Sequence, residues 1–95
     1  LDTFRPLVGR PFAVLVDEER FMPAHLVAAD ALAADGDSRR RREPFTLVFR
    51  GPAGGHLPQG LYTLKAEDVD DLELFLVPIG PDPQGDGMLY EAVFT

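Results

Sequence analysis

The chain has 95 residues and a mass of 10.4 kDa, which makes it one domain, since independent domains usually hold about 100–150 residues and rarely fewer than about 50. Sixteen acidic against nine basic side chains leave a net charge of -7, and such a surface excludes generic binding to nucleic acid or anionic membrane, where affinity comes from a basic face displacing counterions. Cysteine is absent, which removes disulfides, thiolate metal sites and a thiol nucleophile.

The opening Asp2–Gly9 joins a capping-type residue to a short apolar cluster and a glycine, a pattern for one helical turn or an arm in which Phe4, Leu7 and Val8 close an end of the core. Phe12–Val16 is a short apolar run rich in β-branched residues, bounded by Pro11 and Asp17-Glu18-Glu19; it predicts the first strand. Ala24–Leu32 is alanine-rich, as a helix would be, yet Pro23 and its alternation favour a second strand. The charged stretch 33–43, where Asp35-Gly36-Asp37-Ser38 runs into Arg39-Arg40-Arg41-Arg42, reads as one exposed loop. Phe45–Arg50 alternates strictly and stops at Gly51-Pro52. A Gly/Pro-rich linker, 53–60, precedes a strand at Leu61–Lys65. Five carboxylates (Glu67, Asp68, Asp70, Asp71 and Glu73) are read as a solvated turn before the very apolar Leu72–Ile79. A Gly/Pro loop, 80–87, then leads to the last strand, Met88–Phe94.

Six short strands with Gly and Pro punctuation predict an all-β domain over residues 1–95, a small antiparallel sandwich or partly open barrel with a short N-terminal helical turn or arm. Two of the strands are apolar on both faces: Leu72, Leu74 and Leu76 oppose Phe75, Val77 and Ile79, and Ala13 and Leu15 oppose Phe12, Val14 and Val16. One-sheet proteins keep their outer face polar, so the second apolar face is covered either by the chain's own loops and arm or by another chain. The candidate interaction surface is Phe12, Leu15, Phe75, Val77, Ile79, Tyr90 and Phe94, with the last strand or the arm as an edge for pairing between chains. Without its four-arginine run the chain would stand at -11, from five basic and sixteen acidic residues. Arg39, Arg40, Arg41 and Arg42 are therefore candidates to dock on Asp68, Asp70 and Asp71 of the same or a neighbouring chain. The alternative is an apolar ligand held among Phe45, Leu47, Phe49, Tyr62, Leu74 and Phe94, which six strands accommodate poorly because a useful barrel interior needs about eight.

The chemistry-bearing residues do not assemble into a catalytic set. The only serine, Ser38, lacks elbow glycines. His25 and His56 have no partner at metal-ligand spacing. Asp82–Gly87 has the opening of a calcium loop but Val93 where the closing glutamate belongs. Gly51–Gly55 lacks the Lys-Ser/Thr ending of a phosphate loop, and Gln59 reads as a residue bonding backbone in a rigid turn. The expectation is a non-enzyme with no cofactor and no metal, no membrane insertion and no nucleic-acid partner, working through a protein partner or self-association.

Four stretches, Glu43–Pro52, Leu57–Leu64, Leu72–Asp82 and Tyr90–Phe94, together with Phe4–Phe12 at the start, resemble a family of roughly hundred-residue bacterial proteins catalogued only as a domain of unknown function. The resemblance spans nearly the whole chain, with the arginine-rich insert and the alanine-rich second strand as departures, and it brings no catalytic residues to carry over. It implies gene neighbourhoods with phage-tail-collar-like proteins, and so an assembly or interaction module of a tail-like or extracellular fibre apparatus. The first six residues lack a signal-peptide pattern and no apolar run is long enough to span a membrane. Because the chain starts at Leu1, processing or truncation and the compartment, cytoplasm or exported appendage, stay open.

Overall fold

Each strand hides one face by curling against its neighbours, and the curl goes all the way round. The computed structural model describes residues 4–31, 45–53, 57–85 and 87–94. A single 3-10 turn, Arg5–Leu7, precedes six strands: β1 (Pro11–Leu15), β2 (Phe21–Ala31), β3 (Phe45–Gly51), β4 (Gly60–Ala66), β5 (Val69–Pro81) and β6 (Met88–Phe94). All pairings are antiparallel, in the ring order β1-β2-β3-β6-β5-β4, with β1 closing back on β4. The all-β expectation with six strands and a helical opening turn is realised as a closed barrel. The exposed loop expected over 33–43 lies outside the described residues.

Strand boundaries differ from the sequence reading in an instructive way. β2 starts at Phe21, ahead of the expected Ala24, and so contains Pro23, while β5, whose expected run Leu72–Ile79 already held Pro78, continues to Pro81. Main-chain groups alternate between the two neighbours of a strand, and at Pro23 and Pro78 the missing N–H points where a ladder has already ended: β2 and β3 begin pairing only at His25–Arg50, and β4 and β5 finish at Gly60–Leu76. Proline is tolerated there because no bond is lost. β5 also starts earlier than expected, at Val69. The tight turn before it is centred on Glu67 and Asp68, Asp68 taking φ 64, while Asp70, Asp71 and Glu73 stand on the strand and not in a turn. Bulges between Leu26 and Ala28, Leu64 and Ala66, and Pro78 and Gly80 bend the sheet, as closure of a small barrel requires.

The interior is filled by alternating side chains: Phe12 and Val14 from β1, Ala24 and Leu26 from β2, Leu47 and Phe49 from β3, Leu64 from β4, Leu74 and Leu76 from β5, Tyr90 and Ala92 from β6. Phe12 meets Phe49 edge to face at 5.4 Å. Both mouths are corked. At one, Leu7 is buried and Phe4 sits 5.7 Å from Phe45 and 5.8 Å from Phe94, which stack on each other at 4.5 Å; Val8, expected to help, is exposed. At the other, Leu57, which precedes β4, is buried, and its N–H donates to the Tyr90 hydroxyl at 2.9 Å. Gly51 leaves room there: a Cβ would stand 2.8 Å from Met22 Cε and 3.2 Å from the Tyr90 ring.

Candidate interaction surface

A closed barrel has only its outside to offer a partner, so the outward residues decide what it can do. On β4 and β5, Leu61 and Phe75 are register partners. The Val77–Glu91 pair on β5 and β6 sets Val93 beside Phe75, and beyond Glu91 the same row reaches Val48 of β3 and Ala28 of β2. On the far side of β4, Leu15 of β1 pairs with Phe21 of β2. Phe21 is 66% exposed, Leu61 61%, Phe75 52%, Val93 51% and Ile79 48%, with Leu15 and Val77 half-buried. Large apolar side chains scattered singly are ordinary, but several in register on adjacent strands form a patch of the kind that marks an interaction site.

Of the candidate surface residues, Leu15, Phe75, Val77 and Ile79 do face outward. Phe12 and Tyr90 do not: both are buried in the barrel, because Phe12 shares the inward face of Val14, and Tyr90 that of Ala92. Phe94 faces the same way and stacks in the aromatic cork, so it too belongs to the barrel mouth and not the outer face. The signal that would have sorted β6 is Glu91, the strand's only charge, which puts Leu89, Glu91 and Val93 outside. Leu61 and Val93 were within reach of the sequence, since Thr63 and Lys65 on β4 and Glu91 on β6 mark their faces as the outer ones, whereas Phe21 fell outside the expected second strand, Ala24–Leu32. Nor is β6 an edge, since it pairs with β3 on one side and β5 on the other.

The electrostatic candidates are only half in view. Arg39, Arg40, Arg41 and Arg42 lie outside the described residues, as do Ser38 and His56. Asp68, Asp70 and Asp71 are exposed, and Asp71 pairs with Lys65 at 3.2 Å across the β4–β5 hairpin. Arg10 donates to the Glu67 carbonyl at 3.3 Å. On the opposite flank, His25 and its register partner Arg50 line a shallow open depression of about 260 Å³ with Pro23, Gly51 and Pro52, and Arg50 approaches Asp82 at 3.7 Å. The Asp82 carboxylate accepts the Gln84 N–H at 2.9 Å, so it is engaged by its own turn, which the Asp82 N–H closes on the Gly87 carbonyl. Among the described residues no three His, Asp or Glu side chains converge as a metal site, and no helix is long and apolar enough to cross a membrane.

Among the described residues, two ionisable groups depart from their usual behaviour. Asp17 caps the β1–β2 turn, accepting the N–H groups of Glu19 and Arg20 at 2.9 Å and the Arg20 guanidinium at 2.8 Å; the Glu19 N–H, followed by Arg20, lowers its pKa. Tyr62 donates to the Pro58 carbonyl at 2.6 Å, and burial, followed by the neighbouring Tyr90, raises its pKa. Both arrangements fasten loops, and neither places a reactive group in a cleft.

The structure is thus that of a small, closed, six-stranded antiparallel barrel with a filled interior and an apolar outer band. The chain belongs to the family described as a domain of unknown function, DUF6916, whose model matches residues 1–94. No curated protein and no solved structure matches it.

Proposed function

We propose that this domain is a non-catalytic protein–protein assembly or interaction module that works through the outer face of its barrel. The observation that carries the reading is the exposed apolar row Leu61–Phe75–Val93, with Val77 and Ile79 farther along β5, on strands that no other described element covers. Leaving such side chains in water forgoes roughly 25 cal/mol for every Å² a partner would bury. The alternative, an apolar ligand inside the barrel, has less in its favour: Phe12, Phe49, Tyr90 and the core leucines occupy the interior, and both mouths are corked. A place in a phage-tail-like or extracellular fibre apparatus rests on the gene neighbourhoods of the resembling family.

The test is chemical cross-linking with mass-spectrometric identification in the host, comparing the wild-type chain with Phe75→Lys/Val93→Lys. Substitutions at such exposed sites generally change stability by about 0.5 kcal/mol or less, so the double variant keeps its fold. The wild type is expected to cross-link to a defined protein, itself included, and the variant to lose that product. A wild type that cross-links to nothing, or a variant that retains every product, defeats the proposal.

A further inference from the structure

Two prolines explain why the β2–β3 ladder stops at His25–Arg50. The Leu26 N–H donates to the Arg10 carbonyl at 3.2 Å and the Val16 N–H to the Arg20 carbonyl at 2.9 Å, so from residue 20 to residue 26 the even-numbered main chain turns to β1 and the odd-numbered turns toward β3. His25 therefore faces its register partner Arg50, and the same register carried two residues on sets Pro23 against Pro52. A pair at that position exchanges two N–H···O bonds, and neither proline has an N–H to give. The strands part there, and the shallow depression of about 260 Å³ lined by Pro23, His25, Arg50, Gly51 and Pro52 is the opening between them. It is a cup and not a channel, because Met22 packs against Gly51 so closely that a Cβ there would stand 2.8 Å from Met22 Cε.

The lip of this cup holds donors that the fold leaves without acceptors. Among the described residues, Arg10 donates to the Glu67 carbonyl, Arg20 to Asp17, and Lys65 pairs with Asp71. Arg50 instead has Asp82 at 3.7 Å, beyond hydrogen-bond reach, and the His25 side chain has no described partner. Both are exposed and stand side by side on register partners. The Arg50 stem is held in place, since a Cβ at Gly87 would stand 2.9 Å from its Cγ. The Pro23 carbonyl turns toward the gap, and no described β3 residue is registered across from it. We infer that the depression binds the α-carboxylate end of an N-acylated amino acid, as a peptide C-terminus or a free acyl amino acid presents it. The carboxylate takes the Arg50 fork and the His25 ring N–H, the amide N–H donates to the Pro23 carbonyl, and a small side chain rests on the two proline rings. Capture of a terminal carboxylate is a recurring mode of peptide recognition. Charge selects a monoanion: one guanidinium, partly offset by Asp82 on a chain of net charge -7, suits a single negative charge and opposes a phosphate carrying about two. Size agrees, because the cup is smaller than the roughly 300–1,000 Å³ of sites for larger ligands. The site lies on the flank opposite the Leu61–Phe75–Val93 row and does not depend on the role of that face.

NMR titration of the isotope-labelled whole chain tests the inference, with acetyl-glycyl-alanine, its C-terminal amide, N-acetylalanine and inorganic phosphate as probes at matched ionic strength. Acetyl-glycyl-alanine is expected to bind saturably, with a dissociation constant of about 1 mM or tighter, and to shift the amides of His25, Arg50 and Gly51. The amide and the phosphate should bind at least about tenfold more weakly. Arg50→Gln keeps most of the stem, removes the charge and should weaken binding at least about tenfold. Asp82→Asn keeps an oxygen to accept the Gln84 N–H while removing the competing charge, so it should tighten binding about threefold. N-acetylalanine binding as tightly as the dipeptide assigns the site to a free acyl amino acid, and tighter binding of the dipeptide assigns it to a chain end; either result supports the inference. An amide that binds as well as the acid shows that the carboxylate is not recognised, and phosphate that binds as well shows an unselective anion contact. Either of these overturns it, as do shifts scattered away from the depression or an affinity unchanged in Arg50→Gln. Should Arg50→Gln fail to fold, Asp82→Asn decides, and an affinity that does not rise overturns the site. The Phe75→Lys/Val93→Lys chain should bind the dipeptide as the wild type does, so failure here leaves the proposed interaction face standing.

Discussion

Tyr62 and Tyr90 show how single side chains hold this barrel shut. Tyr90 is buried with its hydroxyl accepting the Leu57 N–H, so Tyr90→Phe keeps the ring and strands a buried donor. That should cost about 1–3 kcal/mol in urea unfolding, and a cost near zero would mean that Leu57 is not held by this bond. Tyr62 makes a different prediction. Its hydroxyl donates to Pro58, and burial raises its pKa above the ordinary 10.0, so the folded chain holds this proton more tightly than the unfolded one. The associated stability is complete below the unfolded pKa and is lost as pH rises through the raised folded value. Between about pH 9 and pH 11, the wild type should lose more stability than Tyr62→Phe; parallel losses would show that the Tyr62 proton is not linked to folding.

At the scale of elements, the N-terminal turn matters more as a cork than as a helix. It is three residues long, too short to stand alone, and it is fixed by Leu7 and by Phe4 packed against Phe45 and Phe94. Phe4→Ala should destabilise the fold by roughly 1–3 kcal/mol, less than the loss at a fully buried phenylalanine because Phe4 is only half-buried. Phe94→Ala should expose the same mouth. Thermal unfolding checks both, and an unchanged midpoint for Phe4→Ala would mean the turn does not seal the barrel. The expectation that Phe4 and Leu7 close one end of the core was legible in the sequence because it depends on local composition. So were the six strands, whose Gly and Pro boundaries are local chemistry. Which face of a strand turns inward was not legible where both faces are apolar: nothing local separates Phe12 from Leu15, and the choice is made by Phe49 across the barrel. Closure was hidden for the same reason, since it rests on two pairs between residues about fifty positions apart. The outer band was half legible, as a surplus of apolar side chains whose partners in register, Leu61 with Phe75, only the ring order reveals.

The whole molecule sets apolar attraction against its own charge, and the balance has a measurable sign. Two chains at -7 each, treated as point charges roughly 30 Å apart in water, repel by about 7 kcal/mol before screening. With a Debye length of about 30 Å at 0.01 M salt roughly a third of that repulsion survives, and with about 8 Å at 0.15 M almost none does, so about 2 kcal/mol of repulsion disappears across this range. An association built on the apolar Leu61–Phe75–Val93 band gains no ion pairs for salt to weaken, and it should tighten by on the order of tenfold between those two conditions. A dimer held instead by the arginine run of one chain against Asp68, Asp70 and Asp71 of another would loosen over the same range, because screening removes its attraction. Sedimentation equilibrium at the two ionic strengths separates the cases by sign alone. Tightening is the expected result, and loosening would move the contact from the apolar band to the acidic rim of the β4–β5 hairpin.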